Sequence, residues 1–219
     1  MKVESLDFDS KLFGYAVGRL LLANPDDLNQ IDLSNLPFQL IYINSPSLLD
    51  IDSTAITLVD EKLTFKTNLG IGETNNQPIF PVTEWDNVFT MLAFESGHLS
   101  RFNTDKRLKN GEFEKLYKVW IKQAYEQQQL LAVPGNKGMV TVSKTNEQAS
   151  IGLIAVHSEH RGKGIGKELI TLAKSYAYQQ GDKSIQVITQ ANNKQACQLY
   201  LATGFQLVDK VYVYHYWKE

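Results

Sequence analysis

The chain has 219 residues, 43% of them hydrophobic and 21% charged, with a formal net charge of −2. That length can bury a substantial core without cross-links, and the single cysteine, Cys197, excludes an internal disulfide and a multi-cysteine zinc site. No dense basic cluster marks a nucleic-acid surface.

The opening MKVESLDFDSK is acidic, and the longest aliphatic run near it is Leu20-Leu21-Leu22. That is too short for a signal-peptide core or a membrane span, so a cytoplasmic location without membrane or nucleic-acid partners is expected. Residues 1–70 carry 5 Lys/Arg and 10 Asp/Glu, while residues 71–219 carry 17 and 14. The second part is mildly basic, which suits anionic small ligands and equally suits a solvated surface.

In chain order, GYAVGRLLL (Gly14–Leu22) reads as a strand, and NPDDLNQIDLSNL opens with Asn and Pro as helices do. FQLIYIN (Phe38–Asn44) reads as a buried strand, and ITLVDEKLTFKTN as two short strands joined at Asp60-Glu61. This is a small α/β unit over residues 1–72, bounded by the loop-like GIGETNNQP (Gly70–Pro78). The second unit, residues 73–219, begins with two helices. VTEWDNVFTMLAFESG spaces Trp85, Val88, Leu92 and Phe94 near the helical period, and GEFEKLYKVWIKQAYEQQ sets Phe113, Leu116, Trp120 and Tyr125 on one face. Strands QLLAV, GMVTVSK and QASIGLIAVH follow, turning at Pro134–Gly138 and Thr145-Asn146. KELITLAKSYAYQQ carries the apolar stripe Leu169, Ile170, Ala173, Tyr176 and Ala177, and Gly181 stops it. SIQVITQ is a strand, NKQACQLYLAT a helix ended by Gly204, and FQLVDKVYVYHYW a long terminal strand.

Between strand and helix lies HRGKGIGKEL (His160–Leu169). A mononucleotide phosphate loop needs Gly, four residues, then Gly-Lys-Ser/Thr, yet Gly166-Lys167 is followed by Glu168 and Arg161 holds the first glycine's place. A dinucleotide loop needs G-x-G-x-x-G, and from Gly162 or Gly164 the third glycine falls on Lys167 or Leu169. What remains is Arg161-x-x-Gly164-x-Gly166 opening a helix. Glycines admit a ligand close to the main chain, and the first helical turn offers unpaired N–H groups with the dipole behind them. Such a turn holds a pyrophosphate, with Arg161 and Lys163 assisting, or else binds nothing.

Twenty-six residues after Gly166 begins NNKQACQLYLATGF (Asn192–Phe205). Together, R-x-x-G-x-G and N-x-x-A-x-x-L-Y-x-x-x-G-F resemble the GNAT superfamily of acyl-CoA-dependent N-acetyltransferases over about residues 80–219. The resemblance implies an α/β (α+β) GNAT fold, with a mixed central sheet flanked by helices and the small N-terminal α/β unit added. It implies acetyl-CoA as co-substrate and no metal. Main-chain amides of Arg161, Gly162, Lys163, Gly164, Ile165 and Gly166, with Lys167 at the helix start, would hold the coenzyme pyrophosphate. Leu153, Ile154, Ala155 and Val156 would lend backbone to the pantetheine arm where the strand splays from Ser184–Gln190. Asn193 would contact the pantetheine or the sulfur side, and Tyr200 would protonate the leaving thiolate. A phenol can donate a proton without being ionised at neutral pH, although an amphipathic helix also carries aromatics merely as core.

The whole chain resembles the sugar-nucleotide amine acetyltransferases within that superfamily. The matching stretches are FDSKLFG (Phe8–Gly14), Ser100-Arg101-Phe102, Tyr117 to Ile121, and Ile188-Thr189-Gln190. This implies a small-molecule amine acceptor, with Phe13, Arg101, Phe102, Lys106 and Arg107 on its side and the three cations available to a diphosphate. A solvated loop explains those cations as well. A protein or peptide amine as acceptor, and a non-catalytic acyl-CoA-binding module, are the rival classes, and a homodimer is allowed. For the base that takes the ammonium proton, His98, His157, His160, Glu95 and Asp105 are all in range and none is singled out.

Overall fold

The computed structural model describes residues 2–70, 78–145 and 148–218. Along them run β1 (Glu4–Ser5), α1 (Asp7–Phe13), β2 (Val17–Leu21), β3 (Leu40–Ser45), β4 (Ile56–Asn68), α2 (Val88–Gly97), α3 (Arg101–Thr104) and α4 (Glu112–Glu126). Then come β5 (Leu130–Ala132), β6 (Gly138–Thr145), β7 (Gln148–Val156), α5 (Ile165–Gln179), β8 (Ser184–Gln190), α6 (Lys194–Ala202) and β9 (Gln206–Trp217). The strands form one mixed sheet in the order β1-β2-β3-β9-β4-β8-β7-β6-β5. β2–β3 and β7–β8 are parallel and the other pairs antiparallel.

Strand alternation sorts the core. On β3, Leu40 and Tyr42 join a cluster with Phe89, Leu92, Phe102, Leu116 and Ile121 from α2, α3 and α4. Ile41 and Ile43 turn to the other face and pack with Leu20, Leu33 and Tyr214. Further along that face, Leu169, Ile170, Ala173 and Ala177 of α5 cover Val140, Ile151, Ile185 and Val187. Burying each of the Leu, Ile and Val side chains among these contributes about 1.5–3 kcal/mol. α2 and α4 meet where a Cβ on Gly97 would stand 2.2 Å from the Tyr117 ring, so only glycine fits there.

Three expectations change. NPDDLNQIDLSNL forms two 3₁₀ turns, Pro25–Gln30 and Leu33–Asn35, because Asp32 breaks the run by accepting from the Ser34 amide and hydroxyl. ITLVDEKLTFKTN is one thirteen-residue strand, since β9 runs on past Asp60-Glu61 and keeps both residues paired, with β8 joining on the other side from Lys62. Register shifts at Leu58/Asp60 and Thr64/Phe65 stand in place of a turn. The first long helix starts at Val88, with Asp86 Oδ1 accepting from its amide, so Trp85 precedes it.

Residues 1–72 contribute β1 to β4, and β4 lies between β9 and β8 in the common sheet. The expected boundary between residues 72 and 73 falls outside the described residues. The turn expected at Thr145-Asn146 also runs outside them.

Candidate functional site

The site begins with a gap in the sheet. β7 and β8 pair in parallel from Gln148↔Ser184 to Ile151↔Val187, and there the pairing stops. Both strands continue, β7 to Val156 and β8 to Gln190. Backbone groups of residues 152–156 are thereby released on the β8 side, and two cavities open along the split.

The smaller cavity, about 380 Å³, is lined by Ile154, Ala155, Val156, Arg161, Gly162, Gly164, Ile165, Gly166, Asn193 and Tyr200, with Glu95 and Ser96 opposite. Gly162 and Gly164 have φ of +74° and +82°, and a Cβ on either would meet nothing within 4 Å. Their left-handed turns aim successive amides outward. Those of residues 162–166 find no backbone acceptor among the described residues, the first helical bond running from Lys167 to the Gly164 carbonyl. Five unpaired N–H groups at a helix start form a concavity for an anion. Arg161 stands at its edge, bonded to Glu95 and, at 3.3 Å, to the Val156 carbonyl.

Three residues of the second motif, Asn193, Ala196 and Tyr200, border both cavities. Asn193 caps α6, its side-chain oxygen accepting from the Ala196 amide at 3.2 Å. Tyr200 is 2% exposed, packed against Phe65 and Phe205, and its remaining surface faces the cavities. Burial, then the nearby Cys197, push its phenol above the ordinary value. It therefore stays protonated across the working pH range, as a proton donor must.

The larger cavity, about 670 Å³, extends from Tyr200, Asn193 and residues 152–154 across the sheet to β2 and β3. Pairing fixes which side chains face it. Arg19 stands beside Tyr42, Asn44 is two residues on, and Lys62 aligns with Gln190, all on the α1–α4 side. From above come Asp9 of α1, Arg101 and Phe102 of α3, and Gln123 and Gln127 of α4. Tyr42 donates to Asp9 at 2.9 Å, and Arg101 stacks 4.8 Å from the Tyr42 ring centre and 4.2 Å from that of Phe102. Burial raises the Asp9 and Asp60 carboxyls. Burial first, then Arg101, brings the Lys62 ammonium down to about 8.

Of the residues expected from sequence, the fold brings the loop, Ile154–Val156, Asn193 and Tyr200 to one place, with Leu153 on the larger cavity. Lys163 instead bonds the Glu159 carbonyl, and Lys167 is solvent-exposed on the outer side of the first turn. On the acceptor side Arg101 and Phe102 reach the cavity. Phe13 is core at 5% exposure, Lys106 is exposed, and Arg107 is drawn to Asp105 and over Trp217. Asp105 is no free base. Burial raises it, but donors on His215, Trp217 and Arg107 outweigh this and hold it far below the carboxylate range. His98 and His160 border the smaller cavity, and Glu95 is engaged by Arg161.

Sequence reasoning missed Asp9, Arg19, Tyr42 and Lys62. Asp9 lay within a quoted motif, but the other three become neighbours only through pairing of distant strands. No metal was expected; His157, Glu159 and His160 hold ligand atoms within 4.8 Å of one another, and the His157 Nδ1 already accepts from the Glu159 amide.

Comparison with known proteins bears on this geometry. A family model described as the acetyltransferase (GNAT) family matches residues 91–205. The streptothricin acetyltransferase of Escherichia coli is 42% identical over 71 residues, 32% of this chain and 41% of that one, so the chain spans well under two thirds of that relative. A functionally unknown conserved protein from Staphylococcus epidermidis has a TM-score of 0.58 at 13% identity, covering 96% of this chain and 89% of its own. A GCN5-related N-acetyltransferase from Sphaerobacter thermophilus has a TM-score of 0.50 at 13% identity, covering 87% and 62%. At such identity these two structures speak to fold alone.

Proposed function

The chain belongs to the GNAT acetyltransferase family, whose model spans residues 91–205, and from that premise we propose that it transfers the acetyl group of acetyl-CoA to a small-molecule amine. The observation that carries this is the continuity of the two cavities at Tyr200 and Asn193, with the anion concavity of residues 162–166 on one side. The coenzyme pyrophosphate lies on those amides, the pantetheine arm runs along the released backbone of residues 152–156, and the thioester ends at Tyr200. The amine enters from the larger cavity and attacks the thioester carbonyl carbon directly. The C–N bond forms, the C–S bond breaks, the Tyr200 hydroxyl gives its proton to the departing thiolate, and the proton shed by the amine nitrogen passes to solvent, from which Tyr200 is reprotonated. Cys197 borders neither cavity and burial raises its thiol, which disfavours an acyl-cysteine route.

We assign the acceptor to the nucleotide-linked amino-dideoxy sugars, on the resemblance of the whole chain to dTDP-fucosamine (dTDP-4-amino-4,6-dideoxygalactose) acetyltransferase. The larger cavity supports this, because it mixes aromatic faces, amides and cations as a sugar with a diphosphate requires. In this reading residues 1–72 form the acceptor-side unit, supplying Asp9, Arg19, Tyr42 and Lys62. The cytoplasmic location expected from the sequence is part of this proposal. No helix among the described residues is long and apolar enough to cross a membrane.

The test is amine-dependent thiol release from acetyl-CoA, run with the nucleotide amino sugar, free amino sugars and peptides. The nucleotide sugar is expected to have the highest kcat/KM, and peptides ahead of it would move the acceptor to protein amines. In the same assay Tyr200→Phe keeps acetyl-CoA affinity and loses about a hundredfold to ten-thousandfold in kcat. Full turnover in that variant leaves Tyr200 a packing residue.

A further inference from the structure

The larger cavity holds two cations that the chain itself does not satisfy. Lys62 Nζ has no hydrogen-bond or ion-pair partner among the described residues, and the Arg101 side chain makes no hydrogen bond there and keeps a buried Nε without a partner. Both face the cavity from opposite layers, Lys62 from β4 and Arg101 from α3. Arg19 joins them from β2, steadied by Glu4 at 2.7 Å. Against these three cations the walls carry one carboxylate, Asp9, itself occupied by the Tyr42 hydroxyl. Asp60, two residues from Lys62 on the same face of β4, attracts both Lys62 and Arg101 without bordering the cavity. Part-buried cations whose donors lack hydrogen-bond partners are costly until a ligand supplies acceptors, and so many free donors match an oxyanion with several oxygens better than a single carboxylate.

We infer that Arg19, Lys62 and Arg101 form a phosphate-binding subsite at the far end of the acceptor cavity, which holds the phosphate or diphosphate of the amine substrate and sets its amine toward Tyr200. This rests on the reading of the cavity as the acceptor chamber. It places the recognition of the acceptor's phosphate inside the cavity and away from Lys106 and Arg107, where the sequence pointed. The Lys62 ammonium, lowered first by burial and then by Arg101 and Arg19 against the pull of Asp60, agrees with a site built to receive an anion.

Inorganic pyrophosphate, titrated calorimetrically into protein already saturated with acetyl-CoA, reads the subsite apart from chemistry and with the coenzyme loop occupied. Wild type binds it. Lys62→Met and Arg101→Met each weaken binding roughly tenfold to hundredfold, the worth of one charged hydrogen bond, while Lys106→Met does not. Acetyl-CoA affinity reports folding in every variant, and Lys62→Gln replaces the methionine variant if that one fails to fold. In kinetics, the same two substitutions raise KM more for glucosamine 6-phosphate than for glucosamine. Pyrophosphate that fails to bind wild type, or binds all variants alike, overturns the subsite. Lys62-dependent binding of pyrophosphate with no amine acetylated leaves the subsite standing and removes the acetyl-transfer reading instead.

Discussion

Lys62 shows how one residue takes its character from its surroundings. On a surface strand its ammonium would titrate above pH 10; here burial and the neighbouring Arg101 and Arg19 outweigh the attraction of Asp60 and bring it to about 8. Its charged form exists below that value, so a phosphate-bearing acceptor is held below about pH 8 and released above it. KM for such an acceptor is therefore expected to rise as pH passes 8, and the rise should vanish in Lys62→Met. Kinetics across pH 6.5 to 9.5 at saturating acetyl-CoA check this; a wild-type profile that matches the variant's would contradict it. Nothing in ITLVDEKLTFKTN announced such a lysine, because its neighbours arrive from β2 and α3. Tyr200 was different: its motif neighbours lie within nine residues, so its place by the loop was legible.

At the scale of elements, legibility followed locality. The stripe on α5 and its stop at Gly181, which has φ of +83°, were readable because helix period and left-handed turns are local properties. The continuity of β4 was not, since only the ladder with β9 holds Asp60-Glu61 extended. The contact of α2 with α4 is another non-local feature. Gly97→Ala would thrust a methyl group into Tyr117 at 2.2 Å, forcing the helices that roof the larger cavity apart. A loss of about 1–3 kcal/mol in unfolding free energy is expected from such overpacking, measured by urea titration, with KM for the acceptor disturbed more than that for acetyl-CoA. An unchanged unfolding midpoint would mean that α2 and α4 part without cost.

Over the whole molecule, one sheet joins both parts of the chain. The lining of the smaller cavity comes from residues 91–205, within the family match, while Asp9, Arg19, Tyr42 and Lys62 of the larger cavity come from the first 72 residues. The order of strands β1-β2-β3-β9-β4-β8 could not be read from sequence, because β9 enters between β3 and β4 only after the rest of the chain has been laid down. That insertion carries the N-terminal part to the acceptor side of the split between β7 and β8. The assignment stands on acetyl-CoA lying with its pyrophosphate against the amides of residues 162–166. Gly164, at φ of +82° with open space where a Cβ would point, is the position at which to block it. Calorimetry of acetyl-CoA binding to folded Gly164→Trp should show the affinity of wild type abolished; binding at wild-type strength would place the coenzyme elsewhere.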